Sequence, residues 1–293
     1  MAEADAAVGE RALPRTRAEV ERALDELVRE NRFTIAVVFP AVGAVLLVAS
    51  AEALLPDPLS FNPYLILLGT LVMRLPLIAG VAPLVDRRAA VGVALLTVYA
   101  YGIELLGVTT GYPYGPFEYG IDLGPMLFGL VPVGLPVFFF PLVLNAYLLV
   151  LLLLGDRAGS TPVRLLSTVG TVIAIDLVLD PGAVALTFWT YEGGGAFYGV
   201  PLSNYAGWVL SATVAVLAFD LSFDRPALTE RLRDTEFMLD DLVSFVVLWG
   251  SINAFFGNWL PVLVAAALGA GLLYTDRFDF TVGGTVPGLG RWG

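Results

Sequence analysis

Long apolar runs, divided by short polar stretches, constrain this chain more than any other feature. Several reach the roughly 20 residues that cross a ~30 Å hydrocarbon core. With 57% hydrophobic residues and a mean hydropathy of +0.80, the chain is too apolar for an ordinary soluble domain. The expected fold is all-α: a polytopic integral membrane helix bundle of about eight transmembrane helices, with two partly re-entrant outer loops.

The runs place spans at 33–55, 63–85, 89–108, 126–154, 163–188, 202–219, 242–256 and 258–274. Gly257 joins the last two so tightly that they could form one broken hairpin. Pro132, Pro136 and Pro141 are expected to kink the fourth helix. Before the first span, Val20, Leu24, Leu27 and Val28 recur at helical spacing among charged residues, as in an amphipathic helix lying on the membrane. The expected division is therefore an amphipathic segment at 1–31, a transmembrane catalytic domain at 32–275 and a tail at 276–293. Arg87, Arg88, Arg157, Arg164, Arg225, Arg231, Arg233 and Arg277 all fall on the side of the Arg-rich N-terminus. The loops opposite, 56–62, 109–125, 189–201 and 257, carry no Arg. The positive-inside rule then makes both termini cytoplasmic, in a multi-pass protein of the cell membrane. Arg74 is the exception, a cation inside the second span.

Composition narrows the chemistry. The chain has no His and no Cys, which excludes imidazole acid–base catalysis, thiolate nucleophiles and Cys/His metal sites. No metal or cofactor is expected. Proton transfer is left to carboxyl groups whose setting favours the neutral acid. All 16 basic residues are Arg, and the net charge is −11. An acidic, Lys-free surface suits a salt-rich cytoplasm that screens its self-repulsion. It offers no basic patch for nucleic acid.

The stretch 176–208 concentrates the unusual residues. Asp176 and Asp180 lie four apart on one helix face within an apolar run. Pro181 has no N–H for the Leu177 carbonyl, where a water could be held. A Gly-rich loop follows with Trp189, Tyr191, Glu192 and Tyr198, and the chain re-enters an apolar run through Asn204. The loop at 112–119 (YPYGPFEY) mirrors it, with Tyr112, Tyr114, Glu118 and Tyr119. Glu104 sits near the outer end of the third span. Intramembrane acids face a cavity or a partner, so the plainer reading pairs Arg74 with Asp176, Asp180 or Glu104. Asp122 reads as solvated. Asn145, Asn204, Asn253 and Asn258 are each expected to act chiefly as interhelical glue. The aromatics serve as interface anchors, but gathered around acids they also suit a cation, which aromatic faces stabilise.

The segments 112–119 (YPYGPFEY), 176–181 (DLVLDP) and 199–208 (GVPLSNYAGW) resemble the CruF-type carotenoid hydratase family of integral membrane proteins, over roughly residues 33–275. The resemblance implies addition of water to the terminal C=C bonds of an acyclic C50 carotenoid in the lipid bilayer. Bisanhydrobacterioruberin would pass through the monoanhydro form to bacterioruberin, without a redox cofactor or metal. Association with other carotenoid-biosynthesis enzymes would fit. On chemical grounds, Asp176 or Asp180 is the expected acid and Glu118 or Glu192 positions water. Glu104 is a further catalytic candidate. Tyr112, Tyr114, Tyr119, Trp189, Tyr191, Tyr198, Asn204 and Arg74 are the expected substrate-binding set. Two other readings compete. D-x-x-x-D at 176–180 could hold Mg²⁺ in a membrane prenyltransferase, and intramembrane acids with broken helices also suit a proton-coupled transporter.

Overall fold

Helix α1 (Arg17–Phe33) opens with a capping box in which Thr16 and Glu19 satisfy each other's backbone N–H. A computed structural model of the protein describes residues 16–279 from this cap onward. The expectations for residues 1–15 and 280–293 lie outside the described residues. α1 does not end before the first span. It runs through a π turn at Thr34–Val38 into α2 (Phe39–Ala51). Pro40 lacks a ladder N–H, and the helix widens into the π turn just ahead of it. The apolar face of α1 is only partly covered by protein: Val20 and Leu27 stay about half exposed, while Leu24 and Val28 pack inward. Val28 is 0% exposed against Ala79 and Phe237, and Arg231 holds Asp25 at 2.7 Å.

The remaining helices are α3 (Pro63–Val81), α4 (Arg87–Thr110), α5 (Leu135–Leu154), α6 (Thr161–Ala185), α7 (Leu202–Ser222), the short polar α8 (Arg225–Asp234), α9 (Asp240–Phe255) and α10 (Trp259–Tyr274). Among the described residues, seven helices are long and apolar enough to cross a membrane, and α10 is a shorter apolar one. α5 and α9 are the innermost, and Leu135 to Leu272 contribute most of the buried core. The membrane helix bundle expected from hydropathy is the fold observed.

The fourth span starts later than hydropathy suggests. Residues 126–134 are apolar, but β2 (Met126–Leu127) and β3 (Val131–Pro132) pair there as a small hairpin. Phe128 and Gly129 turn it at positive φ. Pro132 therefore lies in a strand and Pro136 in the first turn of α5, where its missing N–H is harmless. Only Pro141 interrupts that helix.

Two cations inside the bundle are fully engaged. Arg164 donates to Asp220 from Nε at 2.7 Å and Nη2 at 2.8 Å, while Tyr147 donates to the same carboxylate at 2.6 Å. Arg74 pairs with Asp241, which also accepts from Asn145 at 2.7 Å. Asp176, Asp180 and Glu104, the partners expected for Arg74, are not its partners. Pro141 explains part of this placement. It cannot donate to the Val137 carbonyl one turn earlier, and Arg74 Nε donates there at 3.3 Å.

Candidate active site

The loops after α4 and α6 meet at one end of the bundle. β1 (Phe117–Tyr119) pairs antiparallel with β4 (Trp189–Tyr191), setting Phe117 opposite Tyr191, Glu118 opposite Thr190 and Tyr119 opposite Trp189. Side chains alternate along a strand, so Phe117 and Tyr119 share one face with Trp189 and Tyr191. All four line a cavity of about 140 Å³ beneath the ribbon. Glu118 points the other way and is exposed, and Glu192, just past β4, is exposed too. Neither lines the cavity.

The cavity walls are mainly aromatic. Phe139 of α5 stacks on Trp208 of α7 with ring centroids 5.6 Å apart, and Phe188 meets Trp249 of α9 edge to face at 6.2 Å. Two carboxyl groups interrupt this lining, Asp180 from α6 and Glu104 from α4. Asp180 is 3% exposed. Its Oδ2 accepts from the Asn204 amide and from the Tyr191 hydroxyl at 3.3 Å, and among the described residues Oδ1 has no hydrogen-bond partner. Asp176, one turn back and 0% exposed, does not line the cavity. It accepts from the same Asn204 amide at 3.2 Å through Oδ2, and its Oδ1 is buried without a partner. Glu104 accepts from the Tyr119 hydroxyl. Burial, reinforced by the neighbouring carboxyl charges, holds the hydroxyls of Tyr119 and Tyr191 well above the usual phenol range. Both therefore stay protonated as donors.

Tyr114 anchors the first loop. Its ring lies between α4 and α7, and its hydroxyl bonds Ser211 at 2.7 Å. Space for the ring comes from two glycines: a Cβ on Gly107 would come within 3.1 Å of it, and one on Gly207 within 2.5 Å. Gly207→Val should displace Tyr114, cost about 1–3 kcal/mol by overpacking, and loosen the ribbon that Phe117 and Tyr119 hold. Thermal unfolding in detergent, with limited proteolysis between residues 111 and 125, checks this.

The structure thus brings together Asp180, Glu104, Tyr114, Tyr119, Trp189, Tyr191 and Asn204, with Asp176 directly behind. Tyr112 is 62% exposed, Tyr198 accepts from the Leu260 amide at 3.3 Å away from the cavity, and Arg74 lines a second, adjoining cavity. Asn253 and Asn258 behave as glue: Asn253 donates to Val178 O at 2.8 Å, and Asn258 to Asn253 at 3.0 Å. Phe139, Trp208 and Trp249 carry no distinguishing signal in the sequence, being aromatics inside apolar runs. Chemically, the arrangement offers an acid, a second carboxyl and cation-stabilising ring faces in a largely apolar pocket. Among the described residues, no group of three or more acids gathers as metal ligands would.

The model of the family described as "Carotenoid biosynthesis protein" matches residues 61–272. The chain is 68% identical over 280 residues to the bisanhydrobacterioruberin hydratase of Haloarcula japonica, covering 96% of this chain and 95% of the relative. No solved structure matches it.

Proposed function

The chain belongs to the carotenoid biosynthesis protein family, and from that membership and its site we propose that it is a carotenoid hydratase, a hydro-lyase that converts bisanhydrobacterioruberin to bacterioruberin through the monoanhydro form. The carrying observation is the unpartnered Oδ1 of Asp180 in an aromatic cavity that also holds the carboxyl of Glu104. An apolar cavity of about 150 Å³ admits a molecule the size of benzene, so about 140 Å³ suits the branched end of a carotenoid.

Asp180, carrying its proton on Oδ1, delivers it to the less substituted alkene carbon. The π pair becomes the new C–H bond, and a tertiary cation is left on the neighbouring carbon. The faces of Trp208, Trp249 and Phe139 stabilise that charge. A water oxygen bonds to the cation and gives its proton to the Glu104 carboxylate, which Tyr119 orients. A proton passes from Glu104 back to Asp180 through water before the next turnover. Asp176 holds Asn204, and through it Asp180, in place. The carotenoid reaches the site from the bilayer of the cell membrane, both termini face the cytoplasm, and other carotenoid-biosynthesis enzymes supply the substrate nearby.

Purified protein in lipid nanodiscs, given the C50 substrate in H₂¹⁸O, should form a product carrying two labelled oxygens. Glu104→Gln should lower kcat on the order of 10²-fold. A product with altered carbon number, or no labelled product from the unmodified protein, would sink this reading.

A further inference from the structure

A carotenoid end fills the cavity under the ribbon, and the rest of the polyene needs a path. A second cavity, of about 200 Å³, lies between α2 and α3. Five residues line both cavities: Phe138, Leu142, Leu179, Phe188 and Trp249. One partition therefore separates the acid site from this second space. Along α2 the lining residues Phe39, Gly43, Leu46 and Ser50 fall on one helical face, and along α3 so do Asn62, Ile66, Gly69 and Met73. At 1.5 Å per residue, the stretch from Asn62 to Arg74 on α3 makes the groove about 18 Å long. Its rim at Leu46 and Leu65 is about half exposed on the outer surface of the bundle, where lipid would lie.

The groove is suited to a polyene because it presents no unsatisfied polar group. Ser50 and Thr70 bond back to their own helices at 2.9 and 2.8 Å. Arg74, at the far end, is neutralised by Asp241. Two glycines leave the width open. A Cβ on Gly43 would approach no closer than 3.4 Å to Leu248, and one on Gly69 no closer than 3.7 Å to Phe39.

We propose that the α2–α3 groove is the binding subsite for the conjugated chain of the substrate, entered sideways from the bilayer and leading to the acid site across the partition at Phe188 and Trp249. This rests on the carotenoid reading, and the occupant is the polyene itself rather than a lipid acyl chain. The carotenoid end has chemistry to reach across the shared partition, whereas a bilayer lipid gains nothing by crossing it.

Tryptophan-fluorescence quenching by the C50 polyene reads binding without reference to turnover. Gly43→Leu combined with Gly69→Leu should weaken binding by tenfold or more, and Leu46→Trp at the rim should weaken it independently. The same variants should lower kcat/KM for the C50 substrate by a similar factor relative to a ten-carbon analogue with the same terminal alkene. Unchanged polyene affinity in both variants overturns the subsite and assigns the groove to lipid. Normal polyene binding without hydration in the unmodified protein overturns the enzymatic reading instead, and leaves the groove standing.

Discussion

Asp180→Asn is expected to lower hydration by about 10²–10⁴-fold, the contribution typical of a positioned acid, with little change in stability. Asparagine has nearly the same shape, and its carbonyl can still accept from Asn204 and Tyr191, the two donors that hold the side chain. Only the transferable proton is lost. The contrast with Asp176→Asn makes the result specific. Asp176 is as deeply buried but does not reach the cavity, so its replacement should cost far less activity. Kinetics of both variants in nanodiscs, on membrane fractions matched for folded protein, give the comparison. Equal losses from both would make the pair a single acid unit and refute the assignment to Asp180 alone.

Asp241→Leu should be the most destabilising single change inside the bundle. It strips Arg74 of its carboxylate and leaves a buried guanidinium whose other bond is to the Val137 carbonyl. Breaking a buried pair from one side costs about 3–5 kcal/mol. Removing both charges, as Arg74→Met with Asp241→Leu, should recover most of that loss. Full recovery is not expected. Val137 O then loses the donor that replaces the missing Pro141 N–H, and the Asn145 amide loses its acceptor; a buried unsatisfied group costs about 1–3 kcal/mol. Thermal unfolding in detergent of the two single variants and the double forms the cycle. A double variant no better than the worse single one would show that the pair is not coupled.

Much of this was legible in the sequence because hydropathy acts on whole runs. α3, α4, α6 and α7 begin within two residues of where the apolar runs place them. The start of α5 was not legible: residues 126–134 are apolar enough for a helix, yet Gly129, Pro132 and Gly134 break the local backbone. Asp180, Asp176 and Glu104 stood out as acids where an acid needs a reason. Glu118 and Glu192 were grouped with them by composition alone. Reading 117–119 as a pleated strand turns Glu118 outward, and only the pairing of β1 with β4 reveals that strand. Asp241 is not legible as a buried acid because it sits at the edge of an apolar run, where a carboxylate looks like an interfacial residue. The first turn of α9 instead buries it in the bundle, on the dipole-favoured end of the helix.

The ribbon of β1 and β4 closes the site at one end of the bundle, and among the described residues the carboxyl pair lies only there. A carotenoid with two reactive ends cannot present both to this one chamber at the same time. If the proposed hydration holds, catalysis on such a molecule is distributive: the half-finished product withdraws, reverses end for end, and returns. The singly hydrated compound is then a free pigment with a lifetime of its own, open to competition from any other protein that handles polyenes.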